Sequence, residues 1–257
     1  MQHDETTIDR FLDGRLAIEQ PAHGRHRAGL DAILLAATVP DAAEGRLVDL
    51  GAGVGTAGLA AAVRAAGLSV TLAERDGEAA RLARANAERL GGGRAEVVEV
   101  DLLDGRAREA ALGRERFSRA ICNPPFWEDG AVRASPSARR AAAHVLAAGG
   151  LEAWVRAAAA LIEPHGVFGL IFRGDGLGEI LTACAGRFGA VAIRPIHPRD
   201  DQPAHRLLVT ARKGSRAPPT VLPGLVLHGA AGGSWRDAVE AILRGRADLA
   251  GALSGSS

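Results

Sequence analysis

Four consecutive residues, Asn123-Pro124-Pro125-Phe126, combine hydrogen-bond acceptors, two rigid rings and an aromatic face. The Asn123 side-chain oxygen and the Pro124 carbonyl can accept both hydrogens of a planar amine. The prolines hold those acceptors in place in advance, because their φ is locked. An amine held in this way can turn its lone pair out of conjugation towards an electrophile. It needs no strong general base, since it becomes acidic only as it reacts. Phe126 would stack on the ring that carries the amine, as in enzymes that take a base out of its stack. The plain alternative is a proline-stiffened turn with an aromatic plug.

A second group precedes it. The stretch Val48 to Ala60, VDLGAGVGTAGLA, carries two overlapping glycine patterns. From Gly51 it reads Gly-x-Gly-x-Gly, the usual form of an S-adenosylmethionine loop; from Gly53 it reads Gly-x-Gly-x-x-Gly, the dinucleotide fingerprint. The strand-compatible residues stop at Leu50, which selects the Gly51 register and sets Asp49 at the strand's end, where a carboxylate suits an ammonium better than a pyrophosphate. Gly58 is then a helix residue that packs closely on the sheet. Glu74, after the next strand, is positioned to accept hydrogen bonds from both ribose hydroxyls. Asp101, after the third, falls where an adenine edge would be recognised. Each acid alone reads equally as a cap or turn residue, and their joint placement after three successive strands carries the inference.

The elements that must position these groups alternate. Strands are expected at Leu16–Glu19, Arg46–Leu50, Ser69–Ala73, Ala95–Val100, Phe117–Cys122, Gly166–Phe172, Ala190–Ile196 and His205–Ala211. Helices are expected at Ala32–Thr38, Thr56–Ala66, Gly77–Leu90, Leu151–Ile162, Leu177–Arg187 and Trp235–Leu243, with a short one between Asp101 and Arg116. Glycines 91–93 and Pro164 act as helix stops. This alternation predicts an α/β fold: a Rossmann-like, doubly wound, mostly parallel sheet. Its last two strands are joined by a loop alone and form an antiparallel edge. The expected division is an N-terminal extension over 1–40, a catalytic domain over 41–213 and a tail with a short helix over 214–257.

Composition narrows the function classes. With 47% hydrophobic and 24% charged residues the chain is ordinary globular material, and no apolar run is long enough to span a bilayer. Its first residues carry acids where a secretory signal needs positive charge, so a cytoplasmic location is expected. Cys122 and Cys184 lack metal-like spacing and are expected to be buried thiols, with no metal site. A net charge of +1 gives no global case for nucleic acid, so any such case rests on local patches.

Taken together, DLGAGVG (Asp49 to Gly55) and NPPF (Asn123 to Phe126) resemble the motifs of class I S-adenosylmethionine-dependent methyltransferases that act on planar amines and amides. Within that class the chain resembles the bacterial tRNA(Val) adenine-37 N6-methyltransferase group. The lead-in QPAHGRHRAGLDAILLAATVP (Gln20 to Pro40) is similar to that group's segment before the first core strand. The resemblance implies S-adenosylmethionine as cofactor, held by Asp49, Gly51, Ala52, Gly53, Gly55, Glu74, Arg75, Asp101, Leu102 and Asn123. Arg27 and Asp31 are candidates to line the cavity, a helix-capping role being the alternative for Asp31. Asn123, Pro124, Pro125 and Phe126 form the catalytic set. Relatives often carry Thr where Leu30 stands and Tyr where Phe126 stands.

The implied partner is tRNA. Arg133, Arg139 and Arg140 after the NPPF loop, with His197, Arg199, His205, Arg206, Arg212, Lys213 and Arg216 near the last strands, are expected to rim the crevice and hold phosphates. The competing readings are a methyltransferase for rRNA or for a protein glutamine, a nicotinamide-dependent oxidoreductase and a non-catalytic RNA-binding module. The glutamine enzymes carry a helical domain ahead of the glycine loop, whereas only 48 residues precede Asp49. An oxidoreductase would need a catalytic Tyr, Lys or His, and the chain has no Tyr.

Overall fold

The computed structural model describes residues 5–22, 29–125, 150–229 and 233–249. Strands β1 (Thr6–Phe11) and β2 (Leu16–Pro21) are followed by helix α1 (Leu30–Ala36). The alternating part runs through β3 (Glu44–Leu50), α2 (Thr56–Arg64), β4 (Gly67–Glu74), α3 (Gly77–Leu90), β5 (Ala95–Glu99), α4 (Gly105–Leu112) and β6 (Phe117–Cys122). It continues with α5 (Gly150–Leu161), β7 (Ile162–Arg173), α6 (Leu177–Cys184), β8 (Phe188–His197) and β9 (Arg206–Lys213). The chain then adds two-residue strands β10 (Thr220–Val221) and β11 (Leu225–Val226) and helix α7 (Asp237–Leu243).

The main sheet has the order β10-β8-β9-β7-β6-β3-β4-β5, with β11 also on β8. Strands β3 to β7 pair in parallel, while β9 runs antiparallel to both β7 and β8. The expected antiparallel pair is present. Its outer strand β8 is extended by β10 and β11, which come from the segment expected to be a tail with a short helix.

Two cores form, one on each face of the sheet. On one side Ile33, Leu35 and Leu59 pack with Leu47 and Ile121. On the other, Val155, Leu161 and Ile180 pack with Phe168 and Leu170. These strands are apolar on both faces, the requirement for a parallel sheet covered by helices on each side.

Local signals set the helix ends. The carboxylates of Asp76 and Asp104 cap α3 and α4 by accepting two backbone N–H bonds each, and Gly91 ends α3 with φ of +74°. Helix α5 ends at Leu161, and β7 begins at the next residue and runs through Pro164.

Strand β1 had no hydrophobic signal. Thr6, Ile8 and Arg10 face solvent while Thr7, Asp9 and Phe11 are half-buried, so the alternation is one of exposure rather than of residue type. The β1–β2 hairpin forms its own two-stranded sheet and is held by Asn86 of α3. The Asn86 amide exchanges two hydrogen bonds with the Glu19 backbone and donates a third to the Val54 carbonyl in the glycine loop.

The C-terminal segment is similarly tied in. Buried Arg64 donates to the carbonyls of Ile242 and Ala247, and Arg15 to those of Arg244 and Gly245. No helix among the described residues is long and apolar enough to cross a membrane.

Candidate active site

In a doubly wound sheet the ligand crevice lies beyond the carboxyl ends of the parallel strands. Leu50, the last residue of β3, pairs with Cys122 of β6 on one side and Ala73 of β4 on the other. Gly51, Asn123 and Glu74 therefore leave the sheet side by side at one level. Strand β5 lies next to β4 and ends with Glu99 paired to Glu74, which brings Asp101 to the same rim.

The glycine loop follows the Gly51 register. Gly51, Gly53 and Gly55 have φ of +70°, +57° and +91°, conformations that cost a side-chain-bearing residue of the order of 1–2 kcal/mol. Gly58 lies inside α2, where a Cβ would collide with Leu72 and come within 3.0 Å of Asp49 Oδ2. Its role is close packing, and the dinucleotide register is excluded by where β3 stops.

Asp49 is 2% exposed, and its Oδ2 accepts the Gly58 N–H at 2.8 Å. Burial pushes its carboxyl up to about 7; the Gly58 bond pulls it down and the nearby Glu74 charge raises it further. The carboxylate thus sits under the loop, against α2.

Glu74 bridges the loop to the start of α3. Its Oε2 accepts from Gly53 N–H, and its Oε1 from the N–H groups of Arg75 and Asp76, all at 2.8 Å. Three of its four lone-pair positions are used, leaving one on Oε2, so Glu74 has room for one ligand hydroxyl rather than the two expected. Asp101 makes a turn bond to Leu103 N–H and lies 3.6 Å from the Arg75 guanidinium. Leu102 is buried beside it.

At the end of β6, Asn123 is half-buried, Pro124 buried and Pro125 exposed. The Asn123 amide makes no hydrogen bond among the described residues. Phe126, Arg27, Arg133, Arg139 and Arg140 lie outside the described residues.

Asp31 does not cap α1, whose N-cap is Gly29 without a side-chain bond. It pairs with Arg206 Nε at 2.9 Å, the two side chains being only 16% and 13% exposed. The expectation that the basic residues of the last strands share one rim is corrected here. Because β9 is antiparallel, Arg206 lies level with Arg173 at the carboxyl end of β7, whereas Arg212 lies level with Val167 near its start. Six residues of strand separate them, roughly 20 Å. His197, Arg199, His205 and Arg206 belong to the crevice end; Arg212, Lys213 and Arg216 belong to the opposite end. There Arg212 donates to the His165 carbonyl, and Lys213 to Glu115 and the Ile162 carbonyl.

Sequence reasoning missed Trp154 of α5. A Cβ on Gly51 would lie 2.8 Å from its Cη2, so the indole packs directly on the first loop glycine. Its Nε1 and the Oγ1 of Thr56, the residue after Gly55, are both buried without hydrogen-bond partners among the described residues. Asn86 was missed as well, since an Asn inside a helical pattern gives no hint that it ties a hairpin to a loop. Cys122 and Cys184 are buried free thiols, as expected, and burial raises both, that of Cys184 to about 11.

The methyltransferase small domain model matches residues 24–165, more than half of the chain. A tRNA1(Val) (adenine(37)-N6)-methyltransferase from Porphyromonas gingivalis is 30% identical over 80% of this chain and 83% of its own length. A predicted O-methyltransferase from Agrobacterium tumefaciens superimposes with a TM-score of 0.72 at 38% identity, covering 85% of this chain and 98% of that one. The 16S rRNA N2 G1207 methyltransferase of Thermus thermophilus, solved with AdoMet and guanosine, shares the fold at a TM-score of 0.56 and 23% identity, over 81% of this chain and 50% of that one. With its strand order, its glycine loop and the Asn-Pro-Pro turn level with that loop, the chain belongs to the methyltransferase small domain family, enzymes of class I fold that use S-adenosylmethionine.

Proposed function

We propose that this enzyme methylates the exocyclic amine of an adenine in tRNA, with Asn123, Pro124, Pro125 and Phe126 holding the base. The observation that carries this reading is the placement of Asn123. Its amide, without a hydrogen bond among the described residues, lies at the end of β6, one strand from the Gly51 loop and level with it. A carboxamide and a carbonyl there present acceptors to an amino group, which a hydroxyl substrate would leave half unused.

The residues at the glycine loop fit the cofactor. A Cβ at Gly53 would meet nothing within 4 Å, so the backbone is open on that side. Thr56 Oγ1 and Trp154 Nε1 are polar groups awaiting a partner, and Asp49, Glu74 and Asp101 supply carboxylates for an ammonium, a ribose hydroxyl and an adenine edge. S-adenosylmethionine supplies an electrophilic methyl group on a sulfonium.

The chain's own residues do the rest. The Asn123 oxygen and the Pro124 carbonyl accept the two N–H bonds of the amine and aim its lone pair at the loop. The proton shed as the nitrogen is alkylated leaves to water, so no buried base is required. Asp49 is stabilised in its charged form when an ammonium is brought against it, and gives up its proton on doing so. Asp31 contributes to the wall of the cavity through Arg206, and a role for Arg27 beside the cofactor rests on the sequence resemblance.

Support for RNA comes from the P. gingivalis relative and from a Stenotrophomonas maltophilia ribosomal RNA small subunit methyltransferase G, 34% identical over 42% of this chain. The test is mass spectrometry of nucleosides after incubating bulk tRNA, rRNA and protein with the enzyme and isotopically labelled donor. N6-methyladenosine in tRNA is expected. Label confined to a hydroxyl oxygen or to glutamine amides would overturn the assignment.

A further inference from the structure

A cleft of about 420 Å³ opens between the β1–β2 turn, the N-terminal end of α1 and helix α7. That volume lies within the range of small-ligand sites. It stands at the crevice end of the molecule, since the neighbouring Asp31 is tied to Arg206, which is level with the last residue of β7. It is separate from the glycine loop and includes none of the residues assigned to methyl transfer.

Its walls have a definite chemistry. Phe11 and Leu30 give it an apolar side, and Trp235 lines it while remaining 37% exposed. The indole is backed by His228, with ring centroids 4.4 Å apart and planes inclined by 23°, and a β-bridge joins the same two residues. The tryptophan is therefore held as a flat platform.

The two acids lining the cleft, Asp13 and Glu240, are already engaged. Arg244 bonds to both, and Arg246 pairs with Asp13. Arg10, also in the lining, has no side-chain partner among the described residues.

A braced aromatic face and a guanidinium without a partner among the described residues, both lining a cleft of this size, match the two halves of a nucleotide. Bases of every kind stack on tryptophan, and a guanidinium forms charge-assisted bonds to phosphate. We propose that this cleft is a second nucleotide-binding pocket, in which a base stacks on Trp235 and its phosphate is held by Arg10. The pocket stands independently of the tRNA reading; only the source of the nucleotide, a segment of RNA or a free mononucleotide, relates to it.

The test uses the full chain saturated with S-adenosylhomocysteine, which blocks the cofactor site against nucleotides. Binding of 5′-AMP and of a short single-stranded oligoribonucleotide is measured by tryptophan quenching and by calorimetry. Trp235→Ala is expected to weaken binding about tenfold, and Trp235→Phe, which keeps a stacking ring, less than about threefold. Arg10→Ala is expected to weaken binding several-fold and to reduce the salt slope for the oligonucleotide by about one. Trp235-dependent binding of 5′-AMP identifies a free nucleotide; Trp235-dependent binding of the oligonucleotide alone identifies an RNA segment. Either supports the pocket.

Unchanged affinity for both ligands in Trp235→Ala and Arg10→Ala overturns it. Should Trp235→Ala melt early, Trp235→Phe and Arg10→Ala carry the decision: full quenching and unchanged affinity in both would overturn it equally. Asn123→Ala is expected to leave this binding intact, so failure of the pocket and failure of the methyl-transfer reading give different results.

Discussion

The two ends of the central sheet carry similar charged residues and use them differently. At the carboxyl end, Glu74 bonds to the glycine loop, Asp49 to the start of the helix that follows it, and Asp101 lies beside Arg75 on the same rim; Asn123 has no hydrogen bond among the described residues, and Arg206 is set against Asp31. At the amino end, Arg212 and Lys213 are spent on carbonyls and on Glu115, closing strand ends against one another. Level with Arg212, Arg119 is half-buried, and burial together with the Arg212 charge holds its pKa down. Basic residues clustered in sequence are thus split by one antiparallel strand into a set that faces the crevice and a set that holds the base of the sheet. Charge density along a chain says little about ligands until the direction of each strand is known.

If the carboxyl end is the working end, Asn123→Ala should show the largest effect. Turnover is expected to fall on the order of 10²–10³-fold, the usual loss when a positioned hydrogen-bonding group is removed. Thermal stability and cofactor affinity should stay within about twofold of the parent. Undiminished turnover would remove Asn123 from the mechanism and erase the difference between the ends.

Asp49→Asn sharpens the comparison through pH. Asp49's carboxyl is raised from 3.8 to about 7 in the folded protein. Below pH 3.8 it is protonated in both states and its contribution is fully present. As pH rises the unfolded chain releases the proton first, and the contribution is lost once pH passes about 7. Asp49→Asn should flatten that decline in melts of the cofactor-free protein and weaken cofactor binding by roughly tenfold. The parent should release a proton on binding cofactor near pH 6.5, read by calorimetry in buffers of different ionisation enthalpy. Absence of proton release in the parent would separate Asp49 from the cofactor.

Arg206→Ala leaves Asp31 charged and mostly buried. Losing a partner costs about 3–5 kcal/mol in a fully buried pair; with both side chains slightly exposed, roughly 2–3 kcal/mol is expected in denaturant unfolding. Asp31→Asn in the same background should restore part of it. Lys213→Ala, at the other end, is expected to cost at most about 1 kcal/mol, because Glu115 is open to solvent. It should change neither turnover nor the salt dependence of RNA binding. A loss of RNA affinity in this variant would show that the amino end also faces substrate.

The legible parts of the molecule were those whose signals are local. Strand β6 and helix α3 were readable to the residue, because an apolar run stops at Asn123 in one case and an amphipathic stretch stops at Gly91 in the other. The Gly51 register followed from where β3 runs out of strand-forming residues. Strand β1 was invisible, since half-exposed Thr and Asp carry no period in residue type. Trp154 and Asn86 were passed over for a related reason. Each looks like an ordinary helix residue, and only the approach of another segment gives it a task.

The sequence by itself determined the alternation of elements, the glycine loop with its acids and the Asn-Pro-Pro turn, because capping, backbone conformation and hydrophobic period act within a few residues. Tertiary structure alone decided that Arg206 and Arg212 lie at opposite ends, that the C-terminal segment joins the sheet through β10 and β11, and that Trp235 and Arg10 line one cleft. Those outcomes rest on contacts between residues far apart in the chain, and no local propensity encodes which distant surfaces will meet.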